Sequence, residues 1–155
     1  MPSALQKELR QNKPFTSLEH EATLSIERTA AVLRHGVAEA LREFGVTAAQ
    51  FNVLRILRGA GEGGLCRHEI ADRLVTQVPD VTRLLDRMEE AGLVVRERSA
   101  EDRRLVSTRV TEEGLALLDR IDQPIAQLHA RQLSHLTREQ LRTLIDLLTL
   151  ARRSD

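Results

Sequence analysis

The sequence predicts a mainly α-helical fold with one small β-hairpin and with long helices near both ends of the chain. Between Leu65 and Val110, two short segments with helical apolar spacing precede two runs rich in β-branched residues. On both sides of this part, apolar residues recur every three or four positions, as on the buried face of an amphipathic helix. The chain has 155 residues and no internal repeat, which suits one domain.

We expect that domain to span residues 18–153, preceded by a flexible N-terminal extension at residues 1–17, which are mostly polar. Its middle part, about residues 47–110, is called the reading head below. Long helices are expected on either side of the reading head, at about 18–44 and within 111–153.

The first long helix carries an apolar stripe and should end at Gly45. The stripe consists of Leu18, Ala22, Ile26, Ala30, Leu33, Val37, Leu41 and Phe44. Thr47 and Gln50 have the spacing of a capping box and should start the next helix, which Gly59 and Gly61 should end. Its predicted core residues are Phe51, Val53, Leu54 and Leu57.

Two short helices follow in the reading head. Cys66 and Glu69 resemble a capping box with cysteine in place of serine, which predicts a helix from about Cys66 to Val75. Pro79 suits a first helical position and should begin the second helix, which should run to about Ala91. Its buried stripe is predicted to be Val81, Leu84, Leu85 and Met88, and Gly92 should end it in a left-handed conformation.

The hairpin is predicted from the runs Leu93–Arg98 and Leu105–Val110, with Val106, Thr108 and Val110 on one face. Its tip is the charged segment Ser99–Arg104. Two short helices followed by such a hairpin have the same order as the elements of a winged helix-turn-helix. In that fold one helix lies in the DNA major groove and the hairpin, or wing, reaches the backbone or minor groove beside it.

The C-terminal part should form two helices. Thr111 should cap a helix that continues to about His135, with Pro124 inside it as a bend, and Thr137 and Gln140 form a capping box for the last one. Apolar residues nearly encircle this last helix: Leu144, Ile145, Leu147, Leu148 and Leu150. Such a helix must be buried on more than one side, so we expect the terminal helices to be dimerisation helices of a homodimer.

Four segments together resemble the MarR family of bacterial transcriptional regulators. They are Ile70–Leu74, Val81–Val94, Asp102–Arg104 and Val110–Gly114. The family has an aspartate-x-arginine signature in the wing, matched by Asp102 and Arg104, and a following leucine-threonine-x-x-glycine, in which Val110 replaces the leucine. The resemblance covers roughly residues 18–153. It implies a homodimeric repressor that reads a pseudo-palindromic operator and is released by a small, often aromatic, anion.

Double-stranded DNA is thus the expected partner, and the residues predicted to contact it fall in two groups. The recognition helix and the turn before it supply Thr76, Gln77, Pro79, Asp80, Thr82, Arg83 and Arg87. The wing supplies Asp102, Arg103 and Arg104, with Asp102 expected to hold one guanidinium through paired hydrogen bonds. For the aromatic anion, the resemblance implies a pocket on the helices that carry Arg34, His35, Phe51 and Arg55.

Composition limits the other function classes. Lysine and arginine together number 23, as do aspartate and glutamate, so a DNA-binding surface requires basic residues gathered on one face. One cysteine fits a reducing cytoplasm, and no apolar run is long enough to cross a membrane. The five histidines lack zinc-ligand spacing, and no catalytic or cofactor motif occurs, so neither an enzyme nor a metal or cofactor is expected.

Three other functions stay open at this point. A winged-helix module can bind protein instead of DNA, in which case the surface around Arg83, Arg87 and Arg104 should be acidic or apolar. A regulator of this kind can also sense oxidation through Cys66, although a structural helix cap is the favoured interpretation of that residue. A small hydrolase or transferase would need a set of convergent titratable groups, and the sequence offers none.

Overall fold

The computed structural model describes residues 1–153, which form seven α-helices and a small antiparallel sheet. The helices are α1 (Ala4–Glu8), α2 (Leu18–Arg42), α3 (Ala48–Ala60), α4 (Arg67–Arg73), α5 (Val81–Glu90), α6 (Glu112–Gln132) and α7 (Arg138–Ala151). The strands are β1 (Leu65–Cys66), β2 (Val94–Arg98) and β3 (Val106–Val110). The predicted fold class, mainly α with a small hairpin and long terminal helices, is confirmed.

The sheet has the order β1-β3-β2, with β3 in the centre. In the hairpin, Val94 pairs with Val110 and Arg98 with Val106. On the other side of β3, Leu65 pairs with Thr108. The strand β1 was not predicted, since a strand of two residues shows no periodicity.

Several helix ends differ from those predicted. The segment expected to be a flexible extension contains α1, in which the Ser3 side chain accepts a hydrogen bond from the Gln6 N–H and Leu5 is buried. Gly59 lies inside α3, which ends at Gly61 with φ 73°. Pro79 is not helical, because α5 begins only after its N-cap, Asp80.

The core lies where the reading head meets α2 and α6. All four core residues predicted for α3 are buried, and so are Leu85 and Met88 of α5. The remaining buried apolar residues of this core are Leu41, Val46, Leu65, Ile70, Val94, Leu118, Ile121 and Ile125. Each large side chain buried in this way contributes on the order of 1.5–3 kcal/mol to the free energy of unfolding.

An ion pair also joins the reading head to α6. Arg58 of α3 donates to both carboxylate oxygens of Asp122, over 2.6 and 3.1 Å. The hydrogen bonds from Arg58 lower the pKa of Asp122. This pair and the buried core fix α6 against α3.

The terminal helices leave apolar surface uncovered in the single chain. No residue of α7 is buried, and Ile145, Leu147 and Leu150 are each more than half exposed. On α2, Leu18 and Val32 are also more than half exposed. The last helix therefore has the unburied apolar faces that its sequence predicts. None of the helices within residues 1–153 is both long and apolar enough to cross a bilayer.

Candidate nucleic-acid interface

Both ends of α5 are capped. At its start, the Asp80 side chain accepts a hydrogen bond of 2.9 Å from the Arg83 N–H. At its end, Gly92 has φ 76°, and the N–H groups of Gly92 and Leu93 donate back to the carbonyls of Glu89 and Met88, over 3.0 Å each. This is a Schellman motif, so the predicted left-handed cap at Gly92 is confirmed. It turns the chain directly into the wing.

The outer side of α5 is polar. Leu85 and Met88 point into the core, whereas Thr82, Arg83 and Arg87 are exposed. The turn before the helix exposes Thr76, Gln77, Pro79 and Asp80 as well. All seven residues predicted for the recognition helix are therefore on the surface. Their contact with DNA stays a prediction.

The helix-turn-helix is held together by side chains that sequence analysis did not single out. Asn52 of α3 accepts a hydrogen bond of 2.9 Å from the Val75 N–H in the turn. Arg67 of α4 donates to the Thr82 hydroxyl over 3.1 Å. At the start of α4, the Cys66 N–H donates to the Glu69 carboxylate over 2.8 Å, which lowers the pKa of Glu69. The predicted capping box with cysteine is confirmed.

Arg96 of β2 joins the wing to α5. Its Nη2 lies 2.6 Å from the Asp86 carboxylate and 3.0 Å from that of Glu89. The hydrogen bonds from the Arg96 side chain and from its backbone N–H lower the pKa of Glu89. Asp86 is half-buried in this contact, although it lies outside the predicted apolar stripe of α5. One pattern in the sequence could have indicated this contact: two carboxylates lie three positions apart on the helix, and the strand that follows carries an arginine.

The wing tip is organised by hydrogen bonds to its backbone. The Ser99 hydroxyl accepts from the N–H groups of Glu101 and Asp102, and Asp102 Oδ1 accepts from the Arg104 N–H over 3.0 Å. The expectation that Asp102 holds a guanidinium is wrong for the structure of residues 1–153, in which its carboxylate forms no ion pair and caps the loop backbone instead. In the part of the chain that the structure describes, neither Arg103 nor Arg104 forms an ion pair, and both are exposed.

A cleft of about 290 Å³ lies between α4, α5 and the wing. Arg67, Thr82 and Arg104 all line it, together with Arg96. The structure thus brings a residue of the predicted recognition helix and a residue of the predicted wing to the same cleft.

Comparison with known proteins decides the family. The MarR family profile matches residues 44–105. The HTH-type transcriptional repressor MdtR of Bacillus subtilis (strain 168) is 30% identical over 129 residues, which cover 83% of this chain and 82% of that protein. The chain belongs to the MarR family. It is therefore a transcriptional regulator of MarR type, and the resemblance predicted from the sequence is confirmed.

Solved MarR structures show the same fold. A MarR transcription factor from Planctomyces limnophilus is 42% identical, with a TM-score of 0.68, and the match covers 88% of this chain and 98% of that one. A mutant MarR from E. coli, solved in complex with operator DNA, is 28% identical with a TM-score of 0.78. That match covers 89% of this chain and all of the other.

The MarR motif Val110–Gly114 has a structural explanation. The Thr111 hydroxyl caps α6 by accepting from the Gly114 N–H, and it donates to the Gly92 carbonyl over 2.6 Å. The Thr111 N–H donates to the Leu93 carbonyl over 3.1 Å. A Cβ on Gly114 would lie 2.5 Å from that same carbonyl oxygen, so glycine allows α6 to pack directly on the base of the wing.

The ligand residues that the MarR resemblance implies are only partly brought together. Phe51 is buried, and the guanidinium of Arg55 lies 5.7 Å from the centre of its ring. Arg34 and His35 are exposed on α2. The cleft beside the wing and a second cavity of about 200 Å³ near Leu57 are lined by other residues. This pocket stays a prediction.

Proposed function

We propose that the chain represses transcription as a homodimer bound to a pseudo-palindromic DNA operator. Each protomer places α5 in the major groove of one half-site and its wing on the adjacent backbone or minor groove. The half-sites are then about one turn of DNA apart, roughly 34–36 Å.

The observation that carries this proposal is the outer face of α5 beside the wing tip. Arg83 and Arg87 are exposed on the helix, and Arg103 and Arg104 are exposed on the loop. Guanidinium groups suit both guanine edges and phosphates. A protein-binding module would instead show an acidic or apolar surface on this face of α5. The exposed arginines therefore favour DNA as the partner.

The dimer is supported by the uncovered apolar residues of the terminal helices. Ile145, Leu147 and Leu150 are 61%, 59% and 56% exposed in the single chain. Side chains of this kind cluster at the core of homodimer interfaces. A twofold axis between two copies of α7 covers them and gives the two recognition helices the symmetry of a palindrome.

Release by a small aromatic anion completes the proposal. The contact between Arg55 and Phe51 supports it, because a guanidinium over an aromatic face offers both ion pairing and stacking to a phenolic carboxylate. Such a ligand releases DNA only if it binds more tightly to a state in which the recognition helices are wrongly spaced. A panel of phenolic carboxylates that changes neither the melting temperature nor the affinity for the operator would contradict this part.

The test of DNA recognition starts from duplexes that the purified protein selects from fragmented genomic DNA. Arg83→Ala should weaken binding to the selected duplex by about 1–3 kcal/mol and relax sequence preference, if Arg83 contacts a base. The control is Arg42→Ala, an exposed arginine of α2 outside the reading head, which should leave binding unchanged. Wild-type protein that enriches no sequence would refute the proposal.

A further inference from the structure

Arg96 has the least exposed arginine side chain among the ion pairs found within residues 1–153. It is 23% exposed, compared with 34% for Arg58 in its pair with Asp122 and 76% for Arg42 in its pair with Glu39. Arg96 donates through its backbone N–H, Nε and Nη2 to Glu89 and lies in contact with Asp86 through Nη2. Partly buried, multiply bonded networks hold their geometry better than single surface pairs.

The position of the two carboxylates makes this contact directional. Asp86 and Glu89 lie three residues apart, which places them on the same side of α5 about one turn from each other. One ion pair would fix a distance and let the helix pivot. Here Asp86 is held by Nη2, and Glu89 is held by Nη2, Nε and the backbone N–H of Arg96. Contacts from several atoms to two points along the helix restrict the direction of the helix axis.

The strand that carries Arg96 is itself held firmly. Arg96 pairs across the sheet with Thr108, which is 1% exposed, and β2 follows α5 directly through the Schellman turn. The sheet that carries the wing tip therefore also sets the orientation of α5.

We propose that Arg96 is a positioning residue for DNA recognition. It fixes the angle between α5 and the wing, so that the helix and the wing engage one stretch of DNA at the same time. The inference rests on the proposed DNA-binding function and adds to it a residue that acts through Asp86 and Glu89 without touching DNA.

The test compares two ways of breaking the contact. Arg96→Met removes the guanidinium, and the double variant Asp86→Asn with Glu89→Gln removes the two negative charges at constant shape. Each should weaken binding to the duplex selected by the wild-type protein by about ten-fold. A scrambled duplex of the same length should be affected less, because non-specific binding needs no fixed angle. Combining all three substitutions should cause no further loss.

Two readouts separate positioning from direct contact. If Arg96 bound a phosphate, Arg96→Met would lower the slope of log affinity against log salt by about one, whereas a positioning residue leaves the slope unchanged. If the carboxylates only repelled DNA, the double variant would bind more tightly. A lowered slope, tighter binding by the double variant, or equal losses on both duplexes would each overturn the inference.

The control is Arg109→Met. Arg109 pairs with Glu97 over 2.7 Å in the same sheet, and within residues 1–153 it forms no ion pair or hydrogen bond with α5. The variant should therefore bind the selected duplex like the wild type. If Arg96→Met unfolds, Arg96→Lys replaces it. A single ammonium keeps the charge without the guanidinium fork, so its affinity should fall between those of wild type and the double variant. Failure of the wild type to select any duplex refutes the proposed function instead.

Discussion

Replacing Gly114 by alanine tests how closely α6 packs on the base of the wing. The new Cβ would lie 2.5 Å from the Leu93 carbonyl oxygen and 2.7 Å from Cγ2 of Val110. The oxygen belongs to the backbone and already accepts the Thr111 N–H. It therefore cannot move aside as the end of a flexible side chain can.

The magnitude follows from two opposing effects. Inserting a methyl group into a filled site costs about 1–3 kcal/mol. Alanine recovers up to about 1 kcal/mol of helix propensity, and less than that here, because Gly114 lies in the first turn of α6. The free energy of unfolding should fall by about 1–2 kcal/mol net. For a chain of this size that lowers the melting temperature by about 2–4 °C per kcal/mol.

Gly59→Ala is the matched control. Gly59 also lies in a helix, but a Cβ there has no heavy atom of another part of the chain within 4 Å. This variant should gain stability, by about 0.5–1 kcal/mol. Both variants should be unfolded in urea at one protein concentration, and the wild type at several concentrations. This comparison separates the change in the free energy of unfolding from any change in association. Gly114→Ala as stable as the wild type would refute the packing argument.

Three further predictions concern the wing, the inter-helix ion pair and the dimer. Asp102→Ala should weaken binding to all DNA, although it removes a negative charge. Asp102→Asn keeps the acceptor for the Arg104 N–H and should bind like the wild type. Tighter binding by Asp102→Ala in an anisotropy titration would show that the loop cap is unimportant. The pKa of Asp122 is lowered by Arg58, so the pair stabilises the fold above the ordinary aspartate pKa and loses this effect as the pH falls through the lowered value. In denaturant melts, the free energy of unfolding of Asp122→Asn should thus differ from that of the wild type by at most about 1 kcal/mol at neutral pH, and the difference should disappear in acid. A difference that grows in acid would contradict this. Ile145→Asp should turn a dimer into a monomer in light scattering at micromolar concentration, and a variant that stays dimeric would place the interface elsewhere.

Local sequence signals predicted much of the fold. The capping boxes at Thr47 and Thr137 and the left-handed Gly92 each act within a few residues, and all three are present in the structure. The buried stripe of α5 followed from helical periodicity alone. Such features depend on neighbouring residues, so a single sequence is enough to find them.

Two kinds of feature were harder to predict: a choice between competing groups within one turn, and the packing of one element on another. Asp102 was expected to bind a guanidinium because arginines follow it, but the tight loop brings the Arg104 N–H nearer. Pro79 was expected to start α5, but Asp80 provides the cap and shifts the start to Val81. The network of Arg96 depends on how β2 lies against α5, and periodicity carries no information on that arrangement.

The same network changes how the charge of α5 should be counted. Its sequence has two arginines and three acidic residues, an inventory that argues against a polyanionic partner. The guanidinium of Arg96 lies between two of those carboxylates, so its positive charge offsets part of their field close to its source. With Arg96 counted, the positive and negative side chains of the helix and its strand partner are equal in number, and both arginines of the helix, Arg83 and Arg87, are exposed. The charge on this face therefore depends on the helix together with the strand behind it. A charge count made for each helix separately would miss the contribution of Arg96.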